Sequence, residues 1–318
     1  MKNSAARLQT LNMRFGLCMI VKDEEDTIAD CLDAIIDCCA DVVVVDTGST
    51  DRTPHILQQR FGIKPIVQPL DAALCHSKAP ARNLAFERLE ASWILCLDAD
   101  ERLAQGGIAC ISALAEDAGP AGYFCGWNTC KNGAMIEDYK LPLFRKGLRS
   151  SGCAHENIQT MVRIAGLDAL WLEGLVILHH PDPRKEPFKD DFYLRRLLCA
   201  IERDPTWYRY HWFLGHKYYY SGNIEQAKHY LTTASDAEST RFPVECLNSK
   251  MLLAEIHAQC GEREKVERLL MSARGFLAKV ADDFEVKVNF RLRPWFERAE
   301  ALIAAGEISK LRAYAFPY

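Results

Sequence analysis

The sequence has no excess of positive charge. Its 39 lysines and arginines are outnumbered by 43 aspartates and glutamates, a formal net charge of −4. No basic field therefore attracts nucleic-acid phosphates, and nucleic acid is disfavoured as a partner. The basic clusters present, Arg145 to Arg149 and Arg184-Lys185, are short and read as solvated surface. No apolar run reaches the roughly 18 residues of a membrane span. Leu17 to Val21 is too short for the apolar stretch of a signal peptide, and charge follows it directly. The thirteen cysteines contain no C-x-x-C; they are scattered, and many lie inside apolar runs, as Cys18, Cys31, Cys96 and Cys199 do. Free thiols in a reducing compartment account for that pattern better than a disulfide framework or a zinc site, and point to the cytoplasm. The loop after the first apolar run, Lys22-Asp23-Glu24-Glu25, has no glycine. Its acidity argues against the triphosphate cradle that nucleotidyl transfer needs.

What is present is an ordinary globular composition, 49% hydrophobic and 26% charged over 318 residues, long enough for two domains. Its focus is Trp93 to Glu101, W-I-L-C-L-D-A-D-E. A short apolar run ending in carboxylates suits a strand buried on both faces. Asp98 and Asp100 are two apart, so at a strand end they face the same way. Two such carboxylates repel unless a cation lies between them, and Mg²⁺ or Mn²⁺ with phosphate oxygens completes such a site. The competing reading is a solvated loop with an acidic helix start at Glu101.

The surrounding chain alternates. Gly16 to Val21 predicts a strand, and from Asp26 a helical face follows with Ile28, Cys31, Leu32, Ile35, Ile36 and Cys39. The four valines Val42 to Val45 predict the next strand, ending in Asp46-Thr47-Gly48-Ser49-Thr50-Asp51. Thr50 or Asp51 can cap a helix with Pro54 in its first turn, running to Phe61. Lys64 to Gln68 reads as a strand, Ser77 to Leu89 as a helix, and Trp93 opens the fourth strand. Such alternation builds a parallel sheet, whose ligands bind at the carboxyl ends of the strands. The three acidic loops at 22–25, 46–51 and 98–101 then meet at one edge.

Beyond it, Tyr123 to Thr129 and Tyr139 to Arg145 predict a hairpin about Lys131-Asn132-Gly133, and Trp171 to Leu178 a last strand before His179-His180. Residues 181–187, rich in proline and charge, read as a linker. Helical periodicity then takes over. Leu214-Gly215, Tyr218, Gly222 and Ala227 recur as Leu253-Ala254, His257, Gly261 and Val266, at a spacing of 39. The pattern is tetratricopeptide-like, with small residues where paired helices touch; two plain helical hairpins are the alternative. The predicted division is a nucleotide-binding domain over 14–183 and an all-α helical-hairpin domain over 187–318.

Lys22-Asp23-Glu24-Glu25, Val45 to Asp51, Ala81-Arg82-Asn83, Leu97 to Glu101 and His155-Glu156, in that order, resemble the family 2 glycosyltransferases, including members with a tetratricopeptide-like extension. The resemblance covers residues 15 to 180 and implies an α/β fold of the GT-A type, mostly parallel sheet flanked by helices. It implies a metal-dependent inverting transfer of a hexosyl group from a nucleoside-diphosphate sugar, a UDP-sugar first, to a protein, peptide or envelope-saccharide acceptor. Mn²⁺ or Mg²⁺ would be held by Asp100, with Asp98 and His179. Val21, Glu24, Asp46, Gly48, Arg82, Asn83, Asp98 and Ala99 would meet or support the donor. The base would be Glu156 or His155. Asp51 is as readily a helix cap, and the register leaves His179 and His180 both open, with His179 favoured. The alternative is a catalytically degenerate scaffold that binds a nucleotide sugar and, through its helices, a partner protein.

Overall fold

A computed structural model describes residues 14–114, 119–131, 133–155, 158–289 and 292–313. The chain divides into two compact units, one reaching Asp190 and the other starting at Asp191. Among the described residues no helix is long and apolar enough to cross a membrane.

The first unit opens with β1 (Phe15–Val21), α1 (Ile28–Asp33), β2 (Cys39–Asp46), α2 (Thr53–Phe61), β3 (Ile66–Val67), α3 (Ala79–Arg88) and β4 (Trp93–Cys96). It continues through β5 (Glu101–Leu103), α4 (Gly107–Ser112), β6 (Gly122–Lys131), β7 (Ala134–Arg145), α5 (Ile158–Ile164) and β8 (Ala169–His179). All eight strands join one sheet in the order β3-β2-β1-β4-β7-β6-β8-β5. The expected parallel part is there: β1 pairs in parallel with β2 and β4, and β2 with β3. The β6–β7 hairpin then joins antiparallel to β4 through β7, and β8 adds parallel to β6. The sheet is thus a parallel half extended by a mixed half, a GT-A architecture.

Leu17, Met19 and Leu95 are buried in the core on one face of the sheet, and Cys18 and Ile94, which alternate to the other face, are buried as well, as a sheet covered on both faces requires. The predicted helix from Asp26 to Cys39 is shorter than expected. Its apolar face, Ile28, Cys31, Leu32 and Ile35, is buried as read, but Cys39 already pairs with Phe15 and opens β2. Strand pairing takes the residues that helical periodicity alone would claim. Glu101 goes against the competing reading of a solvated loop and acidic helix start: it begins a strand and is fully buried. Among the described residues eleven cysteines carry free thiols, Cys18, Cys31 and Cys96 among them, and Cys199, expected to be free, is not one of these.

The boundary falls within α6 (Glu186–Arg203), so Glu186 and Pro187, read as linker, are already helical. Proline is tolerated there because the first-turn N–H has no intrahelical partner. The second unit continues with α7 (Tyr208–Tyr220), α8 (Ile224–Asp236), α9 (Pro243–Gln259), α10 (Arg263–Lys279), α11 (Phe284–Val288) and α12 (Leu292–Ala304). The spacing of 39 is a real equivalence. Asn223 N–H donates to the Tyr218 carbonyl, and Glu262 N–H to the His257 carbonyl, around Gly222 and Gly261 at φ 79° and 72°. Gly215 allows α7 to approach α8: a Cβ there would stand 2.9 Å from the Leu231 backbone nitrogen. The unit is a tetratricopeptide-like stack of helical hairpins.

Candidate functional site

The loops after β1, β2 and β4 stand at the carboxyl ends of adjacent parallel strands, and their own hydrogen bonds hold them there. Asp46 is buried at the end of β2, in register with Val21, and its Oδ1 accepts from Gly48 N–H at 2.9 Å and Ser49 N–H at 2.8 Å. Gly48 takes φ 113°, a conformation that disfavours any side chain. The first two loops exchange bonds. Asp23 N–H donates to Ser49 Oγ at 3.0 Å, and Thr50 N–H returns a bond to Asp23 Oδ1 at 2.6 Å. Glu25 N–H donates to Asp51 Oδ2 at 3.0 Å, while Asp51 Oδ1 accepts from Thr53 N–H at 2.9 Å in the first turn of α2. Asp51 therefore works as the helix-start residue that its place suggested.

Glu24 supports the first loop. Its Oε2 accepts from Thr27 Oγ1 and from Lys185 Nζ, both at 2.9 Å, and Lys185 also donates to the Asp23 carbonyl. Arg102 ties the third loop to α1, reaching the Ala99 carbonyl at 2.9 Å and the Thr27 carbonyl at 2.9 Å.

Around Asp98-Ala99-Asp100 the arrangement is denser. Asp100 is buried, and its Oδ2 lies 3.4 Å from His179 Nε2. His180 is exposed and meets Asp100 only through its backbone, N–H to carbonyl at 2.9 Å. Of the two histidines left open by the sequence, His179 is thus the one whose ring reaches the acidic loop. Burial raises the Asp98 carboxyl, but Lys140, Arg82, Lys78 and His179 together outweigh it and bring its pKa down to about 2. Asp98 is consequently ionised at neutral pH. Arg82, on α3, belongs to this field.

Glu101 accepts from both sides: Lys140 Nζ reaches Oε1 and Oε2 at 2.6 Å, and Trp127 Nε1 donates to Oε1 at 2.6 Å. Its Oε2 also accepts from Asp98 N–H at 2.9 Å. Burial pushes the Glu101 carboxyl upward against the pull of Lys140. The Lys140 ammonium is raised, because the carboxylates of Glu101 and Asp98 prevail over burial.

Asn83 and the later motif are arranged differently. Both ends of the Asn83 amide are committed to Ser150: Nδ2 donates to its carbonyl at 2.9 Å and Oδ1 accepts from its N–H at 2.8 Å. Ser77 Oγ donates to the Gly152 carbonyl at 2.7 Å, so the start of α3 anchors the segment that leads to His155. His155 itself sits at φ 51°. Glu156 lies outside the described residues.

Among the described residues no three carboxylate, imidazole or thiol side chains close into a metal cage. Asp100 paired with His179, beside an ionised Asp98, nevertheless fits a divalent ion that takes few protein ligands and completes its shell with phosphate oxygens. Lys140, Trp127, Thr129 and Lys185 were not singled out from the sequence. The available signal was a lysine and a tryptophan in the middle of strands.

Residues 17–150 match the profile of the family described as glycosyl transferase family 2. A TPR repeat-containing protein of Synechococcus elongatus is 39% identical over 93 residues, 28% of this chain and 21% of that protein. An uncharacterized glycosyltransferase of Rickettsia typhi is 36% identical over 87 residues, 27% of this chain and 28% of that one. The matched stretch is thus about a quarter of either relative's length. Among solved structures, S. aureus TarS 1-349 is similar at a TM-score of 0.49 and 14% identity, covering 83% of this chain and 92% of that one. TarS 1-349 in complex with UDP-GlcNAc gives 0.47 and 14%, covering 94% and 91%.

Proposed function

We propose that the protein transfers a sugar from a nucleoside-diphosphate donor to an acceptor hydroxyl or amide, with inversion, a reading supported by the match of residues 17–150 to the glycosyl transferase family 2 profile. The observation that carries the reading is the meeting of the Asp98-Ala99-Asp100 loop with His179, at the same sheet edge as Asp46 and the 22–25 loop. A donor's diphosphate would lie against Arg82 and the acidic loop. Its base and ribose would lie near Asp46, Gly48 and Val21. A uridine donor is the first expectation.

Asp100 and His179 would hold a Mn²⁺ or Mg²⁺ ion, with Asp98 as a further ligand or as acceptor from the ribose. Such an ion, when bound, stabilises the charge that develops on the leaving diphosphate. The acceptor atom attacks the anomeric carbon from the face opposite the diphosphate. The bond from that carbon to the diphosphate oxygen breaks, and its electron pair leaves with the diphosphate. The acceptor proton passes to a base, for which Glu156 is first choice and His155 second. The acceptor is a protein, peptide or envelope saccharide, and a helical-hairpin stack suits the recognition of an extended chain.

The test is thermal shift with UDP, GDP, CMP, UDP-glucose, UDP-N-acetylglucosamine and GDP-mannose, each with and without Mn²⁺. Ligand at about 100 times its Kd adds roughly 2.7 kcal/mol, well within detection. A shift for one base that needs Mn²⁺ and vanishes in Asp100→Asn is expected. Flat curves across the panel would sink the proposal.

A further inference from the structure

The mixed half of the sheet presents one face to the acidic loop. Trp127 and Thr129 are two apart on β6, and Lys140 stands opposite Cys125 across the ladder to β7. Strand alternation therefore puts all three on the same face, and Thr129 is in register with His179 on β8. From that face Lys140 and Trp127 grip Glu101, whose carboxylate grips the Asp98 N–H. The same Trp127 stacks on His179, and Thr129 Oγ1 lies 3.0 Å from His179 Nδ1.

Stability alone is a poor account of this cluster. Replacing a buried ion pair with apolar residues of similar volume is often neutral or stabilising. Placement supplies a better one. Lys140 pairs with Glu101, the fully buried acidic group beside the Asp98-Ala99-Asp100 loop, and Glu101 in turn holds the Asp98 N–H. Tightly held outer groups fix the direction and basicity of the groups that touch a metal.

We propose that Lys140, Glu101 and Trp127 are positioning residues that preset the Asp98-Ala99-Asp100 loop and the His179 ring for a divalent cation and a diphosphate. The inference rests on the donor-site reading above. None of the three touches the ligand; each acts through Asp98 or His179.

The experiment compares full-length wild type with Lys140→Met, Lys140→Arg, Trp127→Phe and the double variant Glu101→Gln/Lys140→Met. The double variant removes both partners of the Glu101–Lys140 pair together, so neither is left buried without the other, and it guards against simple misfolding. Mn²⁺ alone is followed by loss of the free-ion signal in electron paramagnetic resonance. UDP and GDP in the presence of Mn²⁺ are followed by calorimetry, and melting temperatures are recorded alongside. The double variant and Lys140→Met are expected to bind Mn²⁺ and the diphosphate about tenfold more weakly, with Lys140→Arg recovering part of the loss. Trp127→Phe, which keeps a ring on His179 but loses the bond to Glu101, should fall between. If wild type binds and a folded double variant binds equally well, positioning is wrong while the donor site stands. If wild type itself binds neither diphosphate, the donor-site reading fails and takes this inference with it.

Discussion

The Trp127 indole lies nearly flat on the His179 imidazole, with ring centroids 4.9 Å apart and planes inclined by 20°. With Nδ1 held at 3.0 Å by Thr129 Oγ1, the remaining nitrogen, Nε2, is the one that faces Asp100 at 3.4 Å. Stacking fixes the plane of the ring and the hydroxyl fixes its rotation within that plane, so a single edge is offered to the acidic loop.

Thr129→Val keeps the shape of that side chain and removes the hydroxyl. We expect Mn²⁺-dependent diphosphate binding to weaken about tenfold, the low end for loss of a group that orients a metal ligand. Calorimetry on the folded variant checks it. Unchanged affinity would mean that stacking alone orients His179.

Asn83 gives a different expectation from the one its motif implied. Its amide makes two bonds to the backbone of Ser150, and truncation leaves that N–H and carbonyl unpartnered by it. Asn83→Ala should lower the unfolding free energy by about 1–3 kcal/mol, measured by urea denaturation. An unshifted midpoint would show that the clamp contributes nothing.

In the helical unit Gly215 is a matter of space. A Cβ would meet the Leu231 side chain at 2.8 Å and its backbone nitrogen at 2.9 Å. Backbone cannot step aside as a flexible side chain can. Gly215→Ala gains about 1 kcal/mol of helix propensity, yet overpacking costs about 1–3 kcal/mol. The expected net result is destabilisation, read from the denaturation midpoint of the full chain. A more stable variant would show that α7 and α8 can separate freely.

Burial pushes the thiols of Cys31, Cys39, Cys125 and Cys246 up to about 12. An unfolded thiol ionises near pH 8.5, so between about pH 8.5 and 12 the unfolded chain holds fewer protons than the folded one. The stability these thiols contribute is complete below that window and is lost as pH rises through it. Urea denaturation should show a falling alkaline arm that flattens in Cys246→Ala. Iodoacetamide at about pH 8 should label the exposed Cys260 well before the four buried thiols. Early labelling of Cys31 or Cys125 would contradict their burial.

Much of the fold was legible because its signals are local. Four valines ending in Asp46, and an apolar run ending in Asp98, mark buried strands by composition alone. Strand alternation then brings their loops to one edge. The 39-residue recurrence of Gly222 and Gly261 likewise marks two helix-ending turns, since each needs a left-handed residue whatever surrounds it. Asp51 could be read as a helix-start residue because that role involves only its own neighbours.

The rest depended on pairings between distant residues. Nothing near Cys39 says that it pairs with Phe15 and so cannot remain in a helix. Asn83 and Ser150, 67 residues apart, became partners only through packing of α3. The sequence by itself determined which residues carry charge at the strand ends, because composition and alternation are properties of the chain. Only the tertiary structure decided that Lys140 neutralises Glu101 and that His179, not His180, turns its ring to Asp100. Those outcomes follow from sheet register, in which a shift of one residue would send each side chain to the opposite face.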